Sequence, residues 1–188
     1  TGTVNADLFG DEAARAMVVH YDYTVLAGTQ GARNHYKQDR MVELALRFRM
    51  PIVLFGEGGG GRPGDDSTGP AVAFDTHTFT QFSKLSGAVP MIGVNHGRCF
   101  AGNTALLACC DVIIATKDST IAMGGPAMIE GGGLGIYTPE EVGPMSFQVP
   151  NGVVDILVDD EAEAVRVAKQ YLSYFQGAVD TWEAPDQR

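Results

Sequence analysis

The sequence from residue 91 to residue 114 reads MIGVNHGRCFAGNTALLACCDVII, and the rest of the chain can be arranged around it. Val89–Val94 predicts a buried strand, followed by a tight turn at Asn95–Arg98. A helix is predicted over Ala101–Ala108, opened by an Ala-Gly pair, and a second strand over Asp111–Ala115. Small residues at a helix start leave backbone N–H groups unpaired and directed outward. Such a site holds negative charge, either a phosphate or the oxyanion of an activated carbonyl.

Composition indicates one globular domain. The chain has 188 residues, of which 45% are hydrophobic and 19% are charged, as in ordinary globular proteins. The formal net charge of −10 argues against a surface for nucleic acid or anionic lipid. No apolar run reaches the roughly 18 residues of a membrane span, and no secretory signal is visible. We therefore expect a cytoplasmic protein that binds neither nucleic acid nor membrane.

Cysteine and histidine spacing indicates neither disulfides nor a metal site. The three cysteines are odd in number, and Cys109 and Cys110 are adjacent in an apolar stretch, which favours reduced thiols. The four histidines have no metal-ligand spacing. Cys99 lies in the central turn, and its role as a nucleophile stays open, although no His or Asn partner follows from spacing.

Strands and helices alternate along the chain. Residues 1–15 form an entry segment, of which residues 1–10 carry no clear pattern, and residues 177–188 form a linker or tail. The remaining predicted elements are strand Ala16–His20, a β-rich run Tyr23–Ala27 after a bend or hairpin, helix Lys37–Arg49, strand Ile52–Phe55, helix Ala71–Leu85, strand Thr120–Ala122, a helix start at Pro139, strand Asn151–Val158 and helix Asp160–Phe175. This alternation implies a layered α/β domain, in which ligands bind where the carboxyl ends of strands meet loops.

Glycine is concentrated in three loops. The 24 glycines cluster at residues 56–64, 97–102 and 124–135, where backbone can approach a ligand closely. Residues 56–61 satisfy the dinucleotide pattern Gly-x-Gly-x-x-Gly. The context does not, because residues 62–66 read Arg-Pro-Gly-Asp-Asp instead of an apolar helix, and two acids would repel a pyrophosphate.

Four segments in order carry a family resemblance: residues 23–37, 51–62, 94–102 and 172–175. Together they resemble the amino-terminal half of the carboxyltransferase component of biotin-dependent acyl-CoA carboxylases. The resemblance extends over residues 16–176. It implies the crotonase-like ββα-superhelix (the ClpP/crotonase fold), an α/β arrangement of layered sheets with flanking helices.

The resemblance implies carboxyl transfer from carboxybiotin to the α-carbon of an acyl-CoA. The acyl thioester must form an enolate, whose oxygen needs two fixed donors. The matching positions are Gly61, at the end of the glycine run, and Gly102, with Ala101 beside it. The family's first loop usually reads Ser-Gly-Gly-Ala-Arg and its helix often starts with Gly-Gly. Because this chain departs from both, the loop donor is either Gly60 or Gly61.

The resemblance also assigns substrate contacts and partners. We expect Arg33 and Lys37 to contact the phosphates or the pantetheine side of CoA. Arg62 is expected to face CoA or a facing subunit, and Gly125-Pro126 to lie near the acyl pocket. Biotin would be carried by a partner carrier protein or domain, not bound covalently here. The family's second half would come from another chain or domain, in a homo- or hetero-oligomer. This chain alone is therefore expected to be inactive.

Two other readings stay open at this point. A stand-alone crotonase-type acyl-CoA hydratase, hydrolase or decarboxylase would need carboxylates near the thioester, and Glu57 and Glu130 are the candidates in site loops. A non-catalytic scaffold would keep the fold for assembly only. His96 is expected to brace the central turn, with general-base work as a minor alternative.

Overall fold

The computed structural model describes residues 1–62, 64 and 76–177, and a mainly parallel sheet runs through them. The strands are β1 Gly2–Thr3, β2 Arg15–His20, β3 Ile52–Phe55, β4 Met91–Asn95, β5 Arg98–Phe100, β6 Val112–Thr116, β7 Thr120–Ala122 and β8 Ile156–Val158. Six of these form one sheet in the order β1-β2-β3-β4-β6-β8, with only β1 antiparallel. A small second sheet pairs β5 with β7 in parallel.

Helices flank the larger sheet. They are α1 Ala6–Ala13, α2 Ala32–Phe48, α3 His77–Ser83, α4 Gly102–Leu107, α5 Pro126–Gly131, α6 Met145–Gln148 and α7 Glu161–Ser173, with 3₁₀ helices at Leu26–Gly28 and Pro139–Glu141. None of the helices in the described ranges is long and apolar enough to cross a membrane.

Both faces of the sheet are covered, as the continuous apolar strands predict. On one face, Ile52 of β3 shares a buried cluster with Val42 of α2 and Phe82 of α3. On the other face, Val53 belongs to a cluster with Leu172 of α7. Neighbouring residues of one strand thus enter opposite layers, which confirms the predicted layered α/β architecture.

The predicted β-rich run Tyr23–Ala27 is wrong. Thr24 donates from its backbone N–H and its hydroxyl to Asp22, and a 3₁₀ helix follows at Leu26–Gly28. The Asp22 carboxylate offers the backbone a turn that competes with strand pairing. The loop therefore folds back, and Gln30 pairs with Gly61 of the first glycine loop.

Helix α2 begins five residues before its predicted start. Its N-cap is Gly31, whose N–H donates to the Asn34 side chain at 3.2 Å. Apolar periodicity misses the first residues because the partly buried positions there include two polar residues, Asn34 and His35. The earlier start places Arg33 on the helix instead of in a loop.

Three further boundaries differ from prediction. The last strand covers only Ile156–Val158, because Gly152 has φ 74° in a preceding turn. The glycine loop at residues 124–135 contains helix α5. Part of the predicted helix Ala71–Leu85 lies outside the described residues, and its described part is α3.

Helix α7 confirms the predicted last helix, whose apolar Ala162, Val165, Ala168 and Leu172 are predicted by their spacing to face inward. Ala164, Ala168 and Leu172 are its buried residues, whereas Ala162 and Val165, which the sequence places inward, are exposed. The contact stripe runs at spacings of four along the helix. Val165, one position from Ala164, falls to its side, and Ala162, two positions from Ala164, falls on the opposite face.

Candidate active site

The central turn delivers the start of helix α4 next to the first glycine loop. Ala101 is the N-cap of α4 and adopts φ 51°, ψ −123°, a conformation that costs a non-glycine residue about 1–3 kcal/mol. Gly102 is the first helical residue, and no described residue accepts a hydrogen bond from its N–H. The prediction of a helix opened by Ala101 and Gly102 is thereby confirmed, although the intervening strand β5 was not predicted.

The first glycine loop follows β3 and touches this helix start. Gly60 has φ 85°, and a Cβ added there would lie 2.5 Å from the Cβ of Ala101 and 3.5 Å from the nitrogen of Gly102. Gly60 donates its N–H to Oδ1 of Asn103 at 3.0 Å. Because that N–H is already paired, Gly60 does not fit the role of the loop donor.

Gly61 differs from Gly60 in both respects. It forms a parallel bridge with Gln30 in which the ladder bonds come from its neighbours: Gln30 N–H donates to Gly60 O and Arg62 N–H to Gln30 O. No described residue accepts from Gly61 N–H, and a Cβ at Gly61 would meet nothing within 4 Å. The sequence left Gly60 and Gly61 as alternatives, and this geometry favours Gly61.

Three further residues that the sequence assigns to the site are Arg62, Gly125 and Pro126. Arg62 is tied to the neighbouring loop, since its Nη2 donates to Thr29 O at 2.8 Å and its Nε to Thr29 Oγ1 at 3.3 Å. Gly125 is the N-cap of α5 and Pro126 its first residue. A Cβ at Gly125 would lie 3.6 Å from the ring of Phe100, so the glycine loop at residues 124–135 adjoins the strand that leads into α4.

The first half of helix α2 carries four basic residues, Arg33, His35, Lys37 and Arg40, of which two have partners within the protein. His35 contacts Thr78 of α3 at 2.9 Å, and Arg40 pairs with Glu43 at 2.7 Å. Arg33 and Lys37, four positions apart and therefore on one helix face, are exposed. Within the described chain neither forms an ion pair.

Cys99 is not arranged as a nucleophile. Its side chain is fully buried, and its thiol donates to Gly56 O at 2.9 Å. Burial raises the pKa of the Cys99 thiol to about 12, so the reactive thiolate is scarce at neutral pH.

A carboxylate–imidazole cluster lies at the carboxyl ends of β3 and β4. Nδ1 of His96 is 3.3 Å from Glu57 and 3.4 Å from Glu161 at the start of α7. A cavity of about 370 Å³ opens beside Glu57 and His96. Burial raises the pKa of Glu57 above its usual 4.5, opposed by the charge of His96 and assisted by that of Glu161.

We expect Glu57→Gln to stabilise the protein increasingly as pH rises. A raised carboxyl pKa means that the folded state binds the proton more tightly than the unfolded state, so the wild type loses stability as pH rises from 4.5 through the folded pKa. The glutamine variant has no such loss. Denaturant unfolding at intervals between about pH 5 and 8 measures the difference, with exposed Glu130→Gln as control; a wild-type advantage that grows with pH would contradict it.

Two polar groups at the site could not be found from the sequence pattern. Asn103 of α4 is fully buried between the first glycine loop and the loop at Gly28, and half-buried Tyr21 donates to Gln38 at 2.7 Å while accepting from Gln30 at 3.2 Å. Burial raises the pKa of Tyr21 well above its usual range. Asn103 carried one signal: an amide beside Ala101-Gly102 at a helix start otherwise made of small residues.

Comparison with known proteins identifies the family. A model described as "Carboxyl transferase domain" matches residues 12–187. This chain belongs to the carboxyl transferase domain family. The carboxyl transferase domain described here is similar to the methylmalonyl-CoA carboxyltransferase 12S subunit of Propionibacterium freudenreichii, with 31% identity over 81% of this chain and 29% of the relative. It is also similar to the uncharacterized carboxylase YngE of Bacillus subtilis, with 30% identity over 84% of this chain and 32% of the relative.

Solved structures agree with that assignment. A single-chain, multi-domain long-chain acyl-CoA carboxylase superposes with TM-score 0.91 at 62% identity, over 98% of this chain and 18% of that one. The transcarboxylase 12S structure with methylmalonyl-CoA bound gives TM-score 0.71 at 28% identity, over 81% and 29%. The predicted crotonase-like fold is confirmed. The carboxyl transferase domain thus spans about a third, or less, of the length of these relatives.

These relatives do not favour a stand-alone hydratase, hydrolase or decarboxylase. The two carboxylates considered for that chemistry also lie in different environments. Glu57 contacts His96, whereas Glu130 is exposed on α5.

Proposed function

We propose that this chain is the acyl-CoA-binding half of a biotin-dependent carboxyltransferase, which transfers a carboxyl group from carboxybiotin to the α-carbon of an acyl-CoA. The observation that carries the proposal is the junction of the first glycine loop with helix α4. There Gly61 and Gly102 have N–H groups without an acceptor among the described residues, and small residues leave room for a thioester.

The proposed role of this junction is to hold the thioester oxygen. When an α-proton leaves, negative charge moves to that oxygen, and two fixed N–H donors stabilise it more than they stabilise the neutral carbonyl. The N–C bond of carboxybiotin would break to release the carboxyl group, and the biotin nitrogen freed in that way would take up the α-proton. The α-carbon gains the carboxyl group, and the thioester carbonyl is restored. Carboxybiotin, brought by a partner, supplies the carboxyl group; the residues present here fit the acyl-CoA side of the reaction.

We assign Arg33 and Lys37 to the phosphates of CoA. Their exposure on one face of α2 and their lack of an ion pair in the described chain support this assignment. Neutralising a phosphate needs local cations because the chain as a whole carries a net charge of −10.

Reversing charge at these positions is expected to weaken CoA binding. Arg33→Glu and Lys37→Glu should each raise the Kd for acyl-CoA by about tenfold at low salt, with a smaller effect at high salt because screening weakens the contact. Titration calorimetry with free CoA and dephospho-CoA measures this. Arg47→Glu is the matched control, because Arg47 lies about 21 Å from Arg33 and about 15 Å from Lys37 along α2. An equal rise in Kd for this control would show that net charge, and not a local contact with CoA, sets the affinity.

A second half is the partner that this proposal requires. The relatives are about three times as long or longer, and large apolar side chains are exposed between residues 123 and 157, among them Leu134, Ile136 and Phe147. Exposed apolar surface of this kind is typical of protein contacts. We therefore propose that the chain acts within an oligomer that also contains the carboxyl-terminal half and a biotin carrier.

Calorimetric titration tests the proposed function. The chain is titrated with acetyl-CoA, propionyl-CoA and free CoA, first alone and then with a polypeptide containing the second half. We expect acyl-CoA binding that appears or tightens with the partner, and carboxyl transfer only in its presence. Turnover of acyl-CoA by the chain alone without biotin, or no acyl-CoA binding in either format, would overturn the proposal.

A further inference from the structure

Asn103 connects the two loops that meet at the start of helix α4. Its Oδ1 accepts from Gly60 N–H at 3.0 Å, and its Nδ2 donates to Glu57 O at 3.0 Å and to Gly28 O at 3.4 Å. The side chain is fully buried, so each of these backbone groups would otherwise lack a partner in a region closed to water. Losing a partner for a buried polar group is costly.

The same amide fills the space beside Gly58. A Cβ built at Gly58 would overlap the Asn103 side chain and Gly28 O, and Gly58 has φ 150°. The backbone of the first glycine loop and that of the loop at Gly28 therefore both lie against the Asn103 amide. A shift of the first glycine loop would break its hydrogen bonds to this amide. Asn103 combines an acceptor and a donor on one short side chain, which neither an aliphatic residue nor an ionised carboxylate can do.

We infer that Asn103 is a positioning residue, which binds the N–H of Gly60 and so fixes the glycine loop with Gly61 N–H directed to the thioester oxygen. This inference rests on the proposed function for the identity of the ligand. The contact with Gly60 stands without it. Thr104, the next residue of α4, serves as the comparison. Its hydroxyl has Cys99 O at 2.8 Å and Ala122 O at 3.0 Å as acceptors, and none of its hydrogen bonds within the described residues reaches the first glycine loop.

Amide hydrogen exchange of the 188-residue chain tests the contact. In the wild type, the Gly60 amide should exchange slowly and the Gly61 amide quickly, because only the first is hydrogen-bonded among the described residues. Asn103→Ala should remove the protection of Gly60, whereas Thr104→Val should keep it. Equal exchange of Gly60 and Gly61 in the wild type would overturn the inference even if the alanine variant fails to fold.

Kinetics of the enzyme assembled with its second half tests the positioning role. Asn103→Ala should lower kcat for carboxyl transfer by about 10-fold to 100-fold and change the KM for acyl-CoA by less than about threefold. Thr104→Val should keep kcat. An Asn103→Ala enzyme with wild-type kcat would overturn the inference.

The isosteric Asn103→Asp variant adds a pH readout. An ionised carboxyl at this position would face two carbonyl oxygens, whereas the protonated form recovers one donor. Its kcat should therefore recover as pH falls, relative to the wild type at the same pH, and a constant ratio would count against the inference. If the assembled wild type transfers no carboxyl group, the proposed function fails, while the exchange contrast still decides the contact.

Discussion

Replacing Gly61 by proline is expected to lower kcat for carboxyl transfer by about 10²–10³-fold, the effect of removing one oxyanion donor. Proline has no N–H, and the N–H of Gly61 is not used in the bridge to Gln30. Space is also present, because a Cβ at Gly61 meets nothing within 4 Å. The substitution thus removes the donor and keeps the ladder bonds of its neighbours.

Gly61→Ala is the matched control, because it adds a side chain and keeps the N–H. We expect the alanine enzyme to stay within about threefold of the wild type in kcat, since a change that leaves the donor leaves the transition-state interaction. Steady-state kinetics of the assembled enzyme gives both numbers. If proline and alanine lower kcat equally, the role of Gly61 N–H is refuted.

Replacing Gly60 by alanine is expected to lower the free energy of unfolding by about 2–4 kcal/mol, combining strain at positive φ with a steric overlap. Gly60 has φ 85°, and its added Cβ would lie 2.5 Å from the Cβ of Ala101. Relief would require the glycine loop to move away from α4, so we also expect lower kcat.

Gly133→Ala separates strain from overlap. Gly133 has φ 70° and nothing within 4 Å of an added Cβ, so it should lose only about 1 kcal/mol. Denaturant unfolding of the 188-residue chain measures both variants. Equal losses of unfolding free energy in the two variants would mean that the first glycine loop moves at little cost, which would contradict a fixed position of this loop against α4.

The central part of the fold could be predicted because local and long-range preferences agree there. Strand β4, the small residues at the start of α4 and strand β6 are each encoded by a continuous pattern in residues 91–114. Apolar runs with no polar alternation also predicted strands covered on both faces, and Ile52 and Val53 confirm this by entering opposite layers.

Local chemistry overrode pattern in the loop after β2. Tyr23–Ala27 has β-forming side chains, but the turn at Asp22 directs the chain elsewhere. Helix α2 illustrates a second problem, since Asn34 and His35 take partly buried positions near its start and polar residues there give no apolar period. In both cases polar side chains with hydrogen-bond partners accompany the part that the apolar pattern misses.

The site could be predicted as a pair of loops but not in its details. Glycine spacing pointed to residues 56–64 and to the start of α4, whereas the choice between Gly60 and Gly61 depends on Asn103, which lies 43 positions away from Gly60. Likewise, the meeting of Glu57, His96 and Glu161 depends on how α7 packs. Contacts at such separations have no periodic signal in a single sequence. The assignment of Arg33 and Lys37 to CoA stays a prediction.

The most direct test of the account is the infrared frequency of a ¹³C-labelled thioester carbonyl in acyl-CoA bound to the assembled enzyme. Two N–H donors weaken the C=O bond, so we predict a lower frequency than for acyl-CoA in water. The shift should shrink in Gly61→Pro and persist in Gly61→Ala. A carbonyl frequency equal to that in water, with acyl-CoA bound, would contradict an oxyanion site formed by Gly61 and Gly102.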